Sequence, residues 1–179
     1  MENQRIRLTK TLLKNALLVL LGEKPIERIA VSEICTKAQV NRTTFYKYYG
    51  SQYDLLVEIE EDHFEKLEEA LSESGGNGED ALYRVLEALL DDQESYRILT
   101  GALPDRDFSG KLFNLPTIRR QIDAAIPDTF SETEREQMRL FFYQGGYAVI
   151  RDWLNRDERE SPKKLSAFLN GIIEKMLQF

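Results

Sequence analysis

Apolar residues recur at spacings of three and four along nearly the whole chain, and two-residue alternation is absent. That pattern predicts helices and no sheet. A first helix is expected from about Leu8 to Leu21, with Leu12, Leu13, Ala16, Leu17 and Leu20 as its apolar stripe. Gly22 suits its C-terminal stop, and Pro25 keeps it from resuming. Two short helices, Val31–Ala38 and Arg42–Tyr49, come next, the second capped by Asn41. Ser51 can cap an acid-rich fourth helix from Gln52 to about Ser72, and Ser74-Gly75-Gly76-Asn77-Gly78 reads as a flexible break. Further helices are expected at Asp80–Asp91 and Gln93–Ala102. The segment Leu103–Pro127, with Pro104, Pro116 and Pro127, reads as irregular except for a helix near Thr117–Ile126. A long helix from about Glu132 to Asn155 starts at a Ser131 cap, and Ser161-Pro162 opens the last one. The expectation is all-α, about nine helices, with no internal repeat.

Charge changes this picture by dividing the chain. The whole carries −7, but up to Gly50 nine basic residues face four acids, a surplus of +5 that leaves −12 for the remainder. A basic module on an acidic body is the distribution expected of a nucleic-acid-binding protein with a separate regulatory part. The expected division is 1–50 for the first domain and 51–179 for the second. With 42% apolar and 31% charged residues, the composition is that of an ordinary soluble globular protein. The longest uncharged run near the start, Asn15–Gly22, is too short for a bilayer, and no secretory leader opens the chain. A cytoplasmic location without membrane attachment is expected.

The chemistry sits in the short third helix. On a helical wheel, Phe45 and Tyr49 share one side, with Arg42 and Tyr46 at its edges, while Thr43, Thr44, Lys47 and Tyr48 take the other. The first side is fit to pack as core. The second offers hydroxyls and a cation, groups suited to phosphates and base edges in a major groove. Between helices two and three, Ala38-Gln39-Val40-Asn41 is a turn of helix-turn-helix length.

These residues carry a resemblance. The stretch from Ile26 to Leu56, above all Val31 to Tyr49, resembles the TetR-family DNA-binding signature: an isoleucine in helix two, a tight turn, and an aromatic-tyrosine pair in the recognition helix. The resemblance implies a three-helix DNA-binding domain followed by a helical bundle that binds an effector and dimerises. It implies Tyr46 and Lys47 as phosphate contacts, with Thr43, Thr44 and Tyr48 nearer the bases and Arg42 beside them. The implied partner is a double-stranded operator. Three residues depart from the pattern: Gln39 in place of a turn glycine, Gln52 in place of lysine, and Ala30 where a hydroxyl often caps helix two. Arg5 and Arg7 are either a basic arm or an ordinary disordered lead.

In the second half, Phe142-Tyr143-Gln144-Gly145-Gly146, Trp153-Leu154 and Ser161-Pro162 resemble one subgroup of regulatory domains in the same family. By that resemblance the last two helices supply a homodimer interface through Phe142, Gly145, Gly146, Val149, Leu165, Phe168, Leu169, Ile172 and Met176. Tyr83, Tyr96, Phe113, Tyr147 and Trp153 are candidate lining for an effector cavity. The implied activity is a ligand-responsive repressor acting as a homodimer on a palindromic operator. The alternative is an activator or adaptor working through a protein co-regulator.

An enzyme finds little support. There is no glycine-rich phosphate loop and no metal-spaced His/Cys set, and His63 is the single histidine. Cys35, also alone, reads as a packing thiol. The acids of helix four spread around it as a solvated face, so neither a metal nor a cofactor is expected.

Overall fold

The structure is a computed structural model that describes residues 4–72, 78–101 and 108–177. Among them every regular element is helical, with ten α-helices and one 3-10 turn, one α-helix more than the periodicity suggested. The expected glycine-rich break lies, at 74–77, outside the described residues, as does the stretch around Pro104. Helix α1 (Gln4–Glu23) starts earlier than Leu8 and takes in Arg5 and Arg7. Their carbonyls accept from the Thr9 and Thr11 hydroxyls, so both cations belong to an exposed helical turn and not to a free arm. A 3-10 turn at Ile26–Arg28 leads into α2 (Val31–Ala38), then α3 (Arg42–Tyr46) and α4 (Gln52–Ser72).

Next come α5 (Gly78–Asp91), α6 (Gln93–Gly101), α7 (Phe108–Phe113), α8 (Pro116–Ala125), α9 (Glu132–Asn155) and α10 (Pro162–Met176). Caps explain the sharpest starts. The Ser131 hydroxyl accepts from the Glu134 N–H while the Glu134 carboxylate takes the Ser131 N–H at 2.7 Å, a reciprocal pair that opens α9. Ser161 caps α10, with Pro162 at the first helical position. Helix α7 was expected as irregular chain. Its six residues are too few to declare a helical period, and tertiary packing sets it: Phe108, Leu112 and Phe113 are buried, and α7 packs against α9.

The chain forms two compact units, Met1–His63 with Ile98–Arg106, and Phe64–Arg97 with Asp107–Phe179. The division falls inside α4, whose first half belongs to the first unit. That unit is centred on Leu13, Leu17, Ile34, Phe45, Leu55, Leu56 and Ile59, all 1% exposed or less. The second unit packs α10 against α5 and sets α9 on α7 and α5. Its buried residues include Leu67, Leu71, Leu86, Leu89, Trp153 and Leu154. No helix among the described residues is long and apolar enough to cross a membrane.

Candidate nucleic-acid interface and apolar cavity

Helix α2 lacks a capping hydroxyl at Ala30, and its neighbours compensate. The Glu33 carboxylate folds back to accept the Ala30 N–H at 2.8 Å, and Lys24 holds that carboxylate in place. The lysine and the backbone N–H keep the Glu33 carboxyl below its ordinary range. Ile34, Cys35 and Ala38 form the buried side. Burial of the Cys35 thiol pushes its pKa up, against the nearby Arg42 charge, which leaves it protonated and unreactive. The helix ends at Gln39, which adopts the left-handed conformation at φ 55° and ψ 38°. Its N–H and that of Val40 then bond back to Thr36 and Cys35. Gln39 therefore bears the steric cost that a glycine would avoid.

Asn41 caps α3 through its Oδ1, which accepts the Thr43 N–H at 2.8 Å. The regular helix stops at Tyr46, shorter than expected, and the chain tightens there: the Phe45 carbonyl accepts the Tyr48 N–H at 2.9 Å as well as the Tyr49 N–H at 3.0 Å. Phe45 is wholly buried and Tyr49 nearly so, their rings 5.5 Å apart. This anchor directs the remaining side chains outward. Arg42, Thr43, Tyr46 and Lys47 are exposed, and Thr44 and Tyr48 are half-buried. Tyr46, at the edge of the packing side on the wheel, is 50% exposed. Lys47 Nζ lies 5.9 Å from the Tyr48 ring centroid, a cation over an aromatic face. Two cations and four hydroxyls thus share one surface.

The first half of α4 is bound to α1 by ion pairs. Lys14 Nζ reaches Glu58 at 2.7 Å and Asp62 at 2.6 Å, and Lys10 adds a 3.4 Å contact to Glu58. Burial alone would raise the Glu58 pKa, but Lys14, the Tyr49 hydroxyl and Lys10 together lower it. Tyr49 follows α3 directly, so this clasp joins α1, α4 and the end of the recognition segment. At the start of α4, the Asp54 carboxylate accepts the N–H groups of Gly50 and Ser51 at 2.9 and 3.1 Å.

In the second unit lies a cavity of about 550 Å³. Its wall, among the described residues, takes side chains from α4, α5, α7, α8, α9 and α10 and is overwhelmingly apolar. Leu71 brings α4 to it. One turn earlier, the Glu68 carboxylate accepts the Thr117 N–H at 3.2 Å and the Thr117 hydroxyl at 2.5 Å, at the start of α8. Phe113 packs beside Gly146, its Cζ at an ordinary contact distance of 3.5 Å from where a Cβ would stand. Gly145 faces open space.

Known proteins resemble this chain in sequence and in fold. Residues 76–175, more than half of the chain, match the model of the transcriptional regulator C-terminal region TetR_C_8. Residues 14–59 match that of the bacterial regulatory proteins, tetR family. The chain belongs to the TetR family. It is 27% identical over 158 residues to the uncharacterized HTH-type transcriptional regulator YxbF of Bacillus subtilis (strain 168), covering 86% of this chain. The chain spans 41% of that relative's length. The fold is similar to the crystal structure of a TetR transcriptional regulator from Streptococcus agalactiae 2603V, with a TM-score of 0.76, 23% identity and 96% of each chain covered. It is also similar to the dihydroxyacetone kinase operon activator DhaS, with a TM-score of 0.62, 22% identity, and 95% and 96% of the two chains covered.

Both matched models describe transcriptional regulators, a family of DNA-binding proteins and not of enzymes. The five aromatic residues expected to line an effector cavity lie mostly elsewhere. Phe113 is in the cavity wall. Tyr96 is 1% exposed, and Trp153 is buried with its Nε1 donating to the Glu160 carbonyl at 2.8 Å. Tyr83 donates to Glu87, and Tyr147 lies between Phe108 and Arg151. Of the nine residues expected at a dimer interface, seven touch the cavity, the buried Leu169 among them; Leu165 is buried outside its wall, and Phe168 is 61% exposed. Leu82, Ile118, Gln121 and Ile122 of the wall escaped the sequence reading, because an apolar stripe looks the same whether it packs or borders a void.

Proposed function

We propose that this TetR-family chain is a ligand-responsive repressor that acts as a homodimer on a palindromic operator. The exposed row Arg42, Thr43, Tyr46 and Lys47, fixed from behind by buried Phe45 and Tyr49, carries the DNA-binding part of the reading. Tyr46 and Lys47 hold phosphates, and Thr43, Thr44 and Tyr48 lie nearer the bases. Dimerisation is supported by exposed apolar side chains on the last two helices, Phe168 on α10 and, also in the cavity wall, Val149 on α9 and Ile172 on α10. Two recognition segments related by a two-fold axis read two half-sites, so operator symmetry follows that of the protein. Residues 1–50 form the DNA-binding domain in this reading and 51–179 the effector-binding and dimerisation domain.

The cavity holds the effector. Leu71 in its wall and the Glu68–Thr117 contact give α4 a different environment with and without an occupant. An occupant that favours one position of α4 shifts the population between DNA-competent and DNA-incompetent forms. The fold likeness to the dihydroxyacetone kinase operon activator DhaS favours one second reading, activation through a protein co-regulator.

Fluorescence anisotropy on DNA from upstream of the chain's own gene, against scrambled DNA and across a salt series, tests the DNA-binding core. Selective binding that weakens with salt and is lost in the Tyr46→Ala/Lys47→Ala variant is the expected result. Equal affinity of wild type and variant for both DNAs would overturn it.

A further inference from the structure

The cavity of the second unit is open, not enclosed. Among the described residues of its wall, six are exposed: Ala125 on α8, Phe141, Gly145 and Val149 on α9, and Ile172 and Glu174 on α10. Five of the six belong to the last two helices, so the mouth lies along their outer face. The wall residues of α4 and α7, Leu71, Leu112 and Phe113, are buried, as are Ala81 and Val85 of α5, and they form the floor. Apolar surface continues past the mouth. Phe168 stands exposed one turn before Ile172 without lining the cavity, and Leu140 is exposed beside Phe141. A patch of this kind marks a place of association.

The occupant this face fits is a second copy of the chain. Phe141, Gly145 and Val149 form one row at four-residue spacing and Phe168 and Ile172 another, the ridges by which helices interlock. The row on α9 has a gap at its middle, where a Cβ on Gly145 would meet nothing within 4 Å. The row on α10 carries a knob, the exposed Phe168 ring. A two-fold arrangement sets each copy's knob against the other's gap, so one surface supplies both halves of the match. The cavity, at about 550 Å³, has small-molecule size, and a side chain from the facing copy would leave most of it free.

We propose that a second copy roofs the mouth of the cavity, so that an apolar ligand is enclosed only in the homodimer and each site takes part of its wall from the facing protomer. The assignment rests on the effector and homodimer readings above and adds that the two share one structure. The roof removes from water the ligand surface that a single chain leaves wet, and ligand and partner therefore strengthen each other's binding. An occupant then acts on DNA through α4 and not by splitting the pair.

The probe is N-phenyl-1-naphthylamine, a neutral apolar fluorophore. It is titrated into the full chain at protein concentrations above and below the dimer constant, and into Phe168→Glu, which changes the outer face but no wall residue. The wild-type dimer is expected to bind it about tenfold tighter than the diluted chain or the variant, as for some 50–60 Å² of further apolar surface removed from water. With two sites per dimer, saturating probe should then tighten the dimer constant about a hundredfold in sedimentation velocity. Val85→Phe, which fills the floor, should weaken the probe in the dimer. Equal probe affinity in monomer and dimer, or a dimer constant that the probe leaves unmoved or weakens, overturns the shared site and leaves the effector reading standing. So does a wild type that binds the probe while remaining monomeric. Failure of the wild-type dimer to bind the probe, or binding indifferent to Val85→Phe, overturns the effector reading together with the proposal.

Discussion

Gln39 shows how a single residue can fit a motif and still strain it. The turn between α2 and α3 needs a left-handed residue, and this chain supplies glutamine at φ 55°. An L residue pays roughly 1 kcal/mol for that conformation relative to glycine. Gln39→Gly is therefore expected to raise the stability of the first unit by up to about 1 kcal/mol, read as a higher urea midpoint with unchanged slope. No gain would mean that the glutamine side chain contributes as much as its backbone costs. Much of this region was legible at the residue level. Asn41 and Ser51 declare their helix starts, and the split between buried Phe45/Tyr49 and exposed Thr43/Lys47 follows from a wheel. The exposure of Tyr46 is less legible, because it depends on α3 ending at that residue.

Among the elements, the clasp between α1 and α4 is the contact with the clearest energetic signature. Lys14 is half-buried between Glu58 and Asp62, so replacing it takes their shared cation away and leaves Glu58 with Lys10 and the Tyr49 hydroxyl. Lys14→Met should cost roughly 1–2 kcal/mol, the scale of charge-assisted hydrogen bonds. The pH dependence has two limits. Burial opposes ionisation of Glu58, yet its partners hold the folded pKa below the ordinary 4.5. Its contribution is present above that value and lost as pH falls through the lower folded one. Burial likewise opposes the charge on Lys14, and its hydrogen bonds to Asp62 and Glu58 outweigh it, raising the pKa above 10.5. That contribution is present below 10.5 and lost as pH rises through the raised value. Denaturant titrations of wild type and Lys14→Met should differ most between these limits, begin to converge below about pH 4.5 and meet once pH falls past the lower folded value. A gap unchanged in acid would assign the effect to packing instead. Such pairings, like helix α7 between its flanking prolines, join residues far apart in the chain, and periodicity is silent about them.

At the scale of the whole molecule, the last two helices offer the surface on which the proposed homodimer depends. Phe168 is 61% exposed, while Leu165 and Leu169 of the same helix are buried. Phe168→Glu therefore leaves the fold of the second unit intact and places charge on the outer face. Sedimentation velocity should show a dimer constant weakened by some thirtyfold or more, as for loss of an aromatic anchor of about 2 kcal/mol. An unaltered dimer would move the interface elsewhere. The same helices show where sequence reading stopped. A 3/4 stripe predicts an apolar face, and α9 and α10 have one, but core, cavity wall and open surface all draw on it. Only the arrangement of six helices separates them.

The lone indole of Trp153 has an experimental consequence. It is 2% exposed, and its Nε1–H is already taken by the Glu160 carbonyl, with the Arg159 guanidinium over the ring. Every tryptophan photon from this protein therefore originates in the second unit, from a dry and fixed environment. Emission reports the melting of that unit alone, whereas far-ultraviolet circular dichroism sums the helices of both. Superposed denaturation curves from the two signals would mean that the units unfold in one cooperative step. Separated curves would mean that each melts on its own, and the order of the transitions would identify the weaker partner.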